Sequence, residues 1–336
     1  MSHSDKRLTQ SIRATIQARV LRLQAATATG RAQRPYPATL AQSQRLRASA
    51  GAIRLGIHAA LALAAIAGPL AARAQATGAN PPHRIITLTP HVTEMVFAAG
   101  GGDHIVGTVT ASDFPPAANA IPRVGDGITV NQERIIILRP TVLIGWLRSG
   151  LAVQLEPLAE RLGAQMLYSR PLTLRDIPAD LRRIGQLLGS ETTADEAATR
   201  LEARIHTLES QYAQRPPVNV FIEVGSKPLY TIGDDPLLND ALRICGATNV
   251  YASTGIPAPR VSVESVLVAN PALIIATGHP GSTPEEIRQR WAAYGLPAAL
   301  DGHIHIANPD ALYRPGPRLI DAAETLCPAV DAARHP

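Results

Sequence analysis

The sequence predicts an α/β protein of two lobes joined by a single long connecting helix. Three observations carry that expectation. Short apolar runs alternate with helical patterns in two separate series. One amphipathic stretch, residues 192–214, stands between the series. A Glu–apolar helix–Pro–strand unit occurs once in each half.

Residues 84–89 (RIITLT) read as the first strand, and Pro90 and His91 turn the chain. A helix follows over 93–99, stopped by Gly100–Gly102. The next expected elements are a strand at 105–109, a helix at 131–138 and a buried strand at 142–146. A helix at 152–162, a strand at 165–168 and a helix at 176–188 complete the first lobe, 77–191. The connecting segment, 192–215, is helical to Gln214 and about 34 Å long. Ala194, Ala197, Ala198, Leu201, Ile205, Leu208 and Tyr212 share one face of it. Arg215-Pro216-Pro217 ends it. The second lobe, 216–336, restarts with a strand at 218–224 and helices at 236–245 and 262–268. A strand at 273–276, a helix at 284–291, a strand at 304–307 and a helix at 318–326 follow. One rigid crossing is unlike the several flexible strands of a wide-hinging binding protein.

With 336 residues and 46% apolar content, the chain is long enough for two real cores. Its charge is unevenly divided. Residues 1–54 hold ten Lys/Arg and one acid, Asp5, whereas residues 75–336 hold 21 Lys/Arg and 26 Asp/Glu. A nucleic-acid binder carries its positive charge on the folded part, so no nucleic-acid partner is expected. The basic segment precedes an apolar run, 55–72, followed by A-x-A patterns at Ala72–Ala74 and Ala74–Ala76. This is the layout of a cleaved secretory signal over 55–76. Residues 1–54 read as a disordered leader or a mis-assigned start. The expected location is periplasmic and, with no lipidation cysteine after the signal, untethered.

Two cysteines, Cys245 and Cys327, remain. In an oxidising compartment they favour one disulfide, with two buried thiols as the alternative. The repeated unit begins at Glu133 and ends at Pro140-Thr-Val-Leu-Ile; its echo begins at Glu264 and ends at Pro271-Ala-Leu-Ile-Ile, an offset of 131. Neither G-x-S-x-G, nor a P-loop, nor His-Glu-x-x-His, nor Cys-x-x-Cys is present. Export, two lobes and no catalytic motif predict capture of a small ligand rather than an enzyme.

RIITLTPHVTEMVFAAG (84–100), SDFPP (112–116), VNQERIIILRP (130–140), VLIGW (142–146), PRVSVESVLVANP (259–271) and PRLIDAAETLC (317–327) follow one family in order. The chain resembles the periplasmic cobalamin-binding proteins of ABC importers, within the helical-backbone group that also carries haem and iron-siderophore proteins. The resemblance implies two Rossmann-like lobes, a corrinoid in the cleft between them, no resident cofactor, and a monomer that docks on a dimeric inner-membrane permease. It implies permease docking by Glu133 and Glu264, and a Cys245–Cys327 disulfide. It assigns ligand contact to Phe114, Trp146, Tyr230, Asp310 and Arg314. His91, in the turn after the first strand, is either a hydrogen-bonded turn residue or a group approaching a bound metal centre. The chain departs from the family pattern at Gly127 and Ala258, where tryptophans are expected. Haem or a ferric siderophore is the alternative ligand within the same fold, with Tyr230 and His91 as the available axial pair for haem. His303 and His305 share one side of a strand but lack a third metal ligand.

Overall fold

The computed structural model describes residues 83–277 and 283–335. The expected leader and signal segment lie outside them. The first series of elements is β1 (Ile85–Thr87), α1 (Pro90–Ala98), β2 (Ile105–Val109), β3 (Arg123–Gly125), α2 (Gln132–Leu138), β4 (Val142–Gly145), α3 (Leu151–Arg161), β5 (Gln165–Tyr168) and α4 (Asp176–Leu188). Its strands form one parallel sheet in the order β3-β2-β1-β4-β5. The connecting helix is α5 (Glu191–Tyr212). The second series is β6 (Val218–Ser226), β7 (Leu229–Thr231), α6 (Pro236–Ile244), β8 (Ala247–Asn249), α7 (Val263–Ala269), β9 (Leu273–Thr277), α8 (Pro284–Ala293), α9 (Pro297–Leu300), β10 (Ile304–Ala307), α10 (Pro309–Leu312) and α11 (Arg318–Ala332). Its sheet runs β10-β9-β6-β7, with β8 also on β6 and only β7 antiparallel. The fold is two Rossmann-like lobes joined by a single long helix.

Local chemistry explains the boundaries. Pro90 opens α1 at the first helical position, where its missing N–H would be unpaired anyway. His91 therefore lies inside the helix rather than in a turn before it. The strands β3, β7 and β8 are three residues each, too short to carry a periodicity in the sequence. α11 continues through Pro328 to Ala332, beyond the sequence expectation.

The main apolar core runs through both lobes, with a smaller cluster in each. Val92, Met95 and Val96 of α1 and Leu181 and Ile184 of α4 meet Ala194, Ala198, Leu201 and Ile205 of α5; Leu242 of α6 and Leu319 and Leu326 of α11 continue it. Small residues let α4 and α5 cross closely, and a Cβ on Gly185 would lie 2.2 Å from that of Ala194. Arginine forks hold α5 on its flanks. Arg182 of α4 reaches Asp195 and Glu202, and Arg204 reaches Asp321 and Glu324 of α11. Arg175 and Arg243 share Glu209. Each such exposed pair contributes little to stability, but together they fix the helix against both lobes. The Cys245–Cys327 disulfide joins the end of α6 to α11 with both residues fully buried.

The sequence echo is a repeat in three dimensions. α2 and α7 are seven-residue helices capped by the side chains of Asn131 and Ser262. They end at Arg139 and Asn270, with φ of 45° and 44°. The strands that follow, β4 and β9, pair with the first strand of their own sheets in like register: Val142 with Ile85, and Leu273 with Val220.

Candidate functional site

In open parallel sheets, ligands are held by the loops beyond the carboxyl ends of the strands. Phe114, Trp146, Asp310 and Arg314 all follow such ends, those of β2, β4 and β10. A buried hydroxyl cluster positions the β2 loop. Thr87 and Thr93 lie 2.7 Å apart at their Oγ1 atoms, Thr87 donates to Thr108 at 2.8 Å, and Thr93 donates to Ser112 at 2.9 Å. With Ser112 anchored, the next two residues, Asp113 and the exposed Phe114, project from a fixed point.

The two lobes meet at Glu94. This carboxylate on α1 is only 2% exposed and accepts from Arg318 Nε at 2.9 Å and Nη2 at 2.6 Å. Arg314 Nη1 lies 3.3 Å from Glu94 and 2.8 Å from Asp113, and its Nη2 lies 2.7 Å from Asp310. The Arg318 guanidinium also stacks over Phe114, 4.3 Å from the ring centroid. Burial works against the Arg314 charge, but its bond to Asp113 and the fields of Asp310, Asp113 and Glu94 prevail, so its pKa is raised. The arrangement brings Phe114, Asp310 and Arg314 together with three residues that the sequence reading missed: Glu94, Asp113 and Arg318. One signal was available. Glu94 is a lone acid in an apolar helical run, and a buried carboxylate requires a cationic partner.

A second group lies on the first lobe. Trp146 is half-buried, and the His91 ring meets it edge-on, with centroids 5.8 Å apart and planes at 80°. His91 is buried, with Nε2 3.3 Å from the Ser169 carbonyl. Nearby in the fold, the Tyr168 hydroxyl donates to Glu156 at 2.6 Å, and Arg148 Nε donates to the same oxygen at 2.7 Å. Arg148 and then Tyr168 hold the Glu156 carboxyl down at about 2. Burial and the Glu156 bond push the Tyr168 phenol up to about 12.

Tyr230, on β7 of the second lobe, is half-buried and packs against the main core. Gly127 has φ of 89°, a conformation that a tryptophan would hold only under strain. An open groove of about 530 Å³ beside this loop is lined by Thr110, Arg123, Asp126 and Thr129 among others. Glu133 and Glu264 are exposed in the first turns of α2 and α7. The Glu264 carboxyl is held below the usual range by its own backbone N–H and the Ser262 hydroxyl. Among the described residues, no cluster of three or more His, Cys, Asp or Glu side chains is placed to hold a metal ion. His303 and His305 are half-buried, and burial lowers the pKa of His305.

The sequence matches the periplasmic binding protein family over residues 85–311. The chain belongs to that family. Among curated relatives of this periplasmic binding protein, the vitamin B12-binding protein of Photorhabdus laumondii is 35% identical over 246 residues, covering 73% of this chain and 87% of the relative. The crystal structure of the periplasmic vitamin B12-binding protein of Vibrio cholerae superposes with a TM-score of 0.69 at 32% identity, covering 76% of this chain and 99% of that one. A periplasmic haem-binding protein from Roseiflexus shares the fold at 23% identity and a TM-score of 0.65, covering 75% of this chain and 99% of that one.

Proposed function

We propose that the chain is the periplasmic substrate-binding subunit of an ABC importer, exported with a cleaved signal, and that it captures cobalamin or a related corrinoid between its lobes. The observation that carries this reading is the 35% identity to a vitamin B12-binding protein across most of that protein's length. The site chemistry agrees with it. Phe114, Trp146 and Tyr230 supply apolar ring faces for a large, flat, amphipathic ligand. Asp310 and Arg314 supply a polar rim for its amide side chains. His91 backs the edge of Trp146 and fixes the ring's orientation. The Glu94–Arg314–Arg318 cluster is the floor on which both lobes rest. Glu133 and Glu264, one per lobe on repeated helices, face a permease of two-fold symmetry.

Incubation with cyanocobalamin, haemin or a ferric siderophore, followed by gel filtration with visible absorbance, tests the ligand. Co-elution of the corrinoid is expected. Co-elution of haemin or the siderophore alone would transfer the protein to the second class of the same fold. Glu133→Ala with Glu264→Ala is expected to leave corrinoid affinity near wild type and to lower transport. Loss of ligand binding in that double variant would return both residues to the cleft or the core.

A further inference from the structure

α2 and α7 match in more than their acids. Each places one apolar residue in the core, Ile135 and Val266, both fully buried. Each also leaves a large apolar residue in solvent one turn after its acid: Ile137 is 76% exposed and Val268 is 87% exposed. These positions are again 131 apart, and residues at i and i+4 lie side by side on a helix surface. A scattered exposed aliphatic residue needs no explanation. Here the same solvent-facing apolar residue recurs at the same place in both repeats, beside the same charge. Neither is used by the core of its lobe.

We propose that Ile137 and Val268 are the apolar anchors of the docking surface, each seated in a shallow apolar socket beside a basic group on one half of the two-fold permease. The inference rests on the importer reading above. A second copy of this chain is the rival occupant, and its signature is a concentration-dependent dimer. The division of labour follows from the two kinds of contact. Exposed charges steer encounter and are screened by salt, whereas desolvated apolar contacts govern dissociation.

Surface plasmon resonance of the full chain on its permease in nanodiscs tests this. Ile137→Ser with Val268→Ser is expected to dissociate roughly tenfold faster per residue, with association rate and salt dependence unchanged. Glu133→Gln with Glu264→Gln is expected to slow association about tenfold at low salt and to flatten its salt dependence. Circular dichroism and corrinoid co-elution of each variant report that the fold is retained. Unchanged dissociation of the serine variant from a permease that binds the wild type overturns the anchor proposal alone. A wild type that does not bind the permease overturns both readings. A concentration-dependent dimer of the wild type, abolished by the serine variant, assigns the surface to a second copy and overturns the proposal.

Discussion

Arg318 and Glu94, 224 residues apart in sequence, form a two-pronged ion pair across the two lobes with the carboxylate side chain only 2% exposed. Breaking such a pair from one side leaves a buried charge without its partner. Glu94→Ala is expected to lower unfolding stability by about 3 kcal/mol. Arg314 would keep Asp113 and Asp310, while Arg318 would keep only the Phe114 ring among these contacts. Urea denaturation followed by far-ultraviolet circular dichroism checks this. A change below about 0.5 kcal/mol, the ordinary range for surface substitutions, would mean that the pair does not join the lobes.

In the proposed site, Trp146 is the tryptophan that reports ligand. The other, Trp291, is fully buried in the second lobe, donates to Glu223 at 2.6 Å and packs against Phe221. Corrinoid addition is expected to quench Trp146 emission. Trp146→Ala is expected to weaken binding by roughly 1–3 kcal/mol, about 5- to 150-fold. Unaltered affinity, with the quench carried by Trp291, would remove Trp146 from the site.

Gly185→Ala tests the crossing of α4 and α5. The added methyl would meet the Ala194 methyl at 2.2 Å, with helix backbone on both sides. A loss of about 1–3 kcal/mol is expected, read as a lower thermal midpoint. The second substitution Ala194→Gly removes the clash and is expected to recover part of that loss. A midpoint equal to wild type in Gly185→Ala would show that the helices have room to separate.

Replacing Cys245 and Cys327 together by alanine is expected to lower stability by roughly 2–5 kcal/mol. Denaturant curves under oxidising and reducing conditions provide the comparison. Wild type under reduction should approach the variant, and coincident wild-type curves under both conditions would contradict the prediction.

Acid sensitivity follows from two carboxyls, the half-buried Glu156 and the exposed Glu285. Glu156 is held at about 2 by Arg148 and Tyr168, and Glu285 at about 2 by Arg288 and Gln289, against an ordinary value of 4.5. A depressed folded-state pKa gives stability that is present above 4.5 and lost as pH falls towards 2. Glu156→Gln with Glu285→Gln should therefore have a lower urea midpoint than wild type at pH 6. The two proteins should converge near pH 2. A constant offset across that range would attribute the difference to packing rather than to charge.

The lobes, the connecting helix and both members of the repeated unit were legible in the sequence because each rests on periodicity over seven residues or more. The connecting helix shows this well: every residue placed on its apolar face, from Ala194 to Tyr212, is buried. The short strands β3, β7 and β8 were not legible, and β7 and β8 owe their state to pairing with β6 and not to their own pattern. Half of the inter-lobe cluster was also hidden. Asp310 and Arg314 lie near Arg318 in sequence, but Glu94 and Asp113 are more than 190 residues away. Only a folded chain brings those acids to the arginines. In the sequence alone Pro90 reads as a breaker and His91 as a turn residue, whereas in the fold Pro90 opens the helix that contains His91.

The single passage between lobes also orders events during synthesis. Every pairing of the first sheet lies within residues 85–168, and every pairing of the second within 218–307. A growing chain therefore emits all strands of one sheet before any of the other. α11 comes last. It alone brings Arg318 to Glu94, Asp321 and Glu324 to Arg204, and Cys327 to Cys245. A nascent chain stalled before Arg318 would hold both sheets complete and lack the Arg318–Glu94 pair, the second clamp on the connecting helix and the disulfide. The final helix is in this sense a seal, applied after both halves have been made.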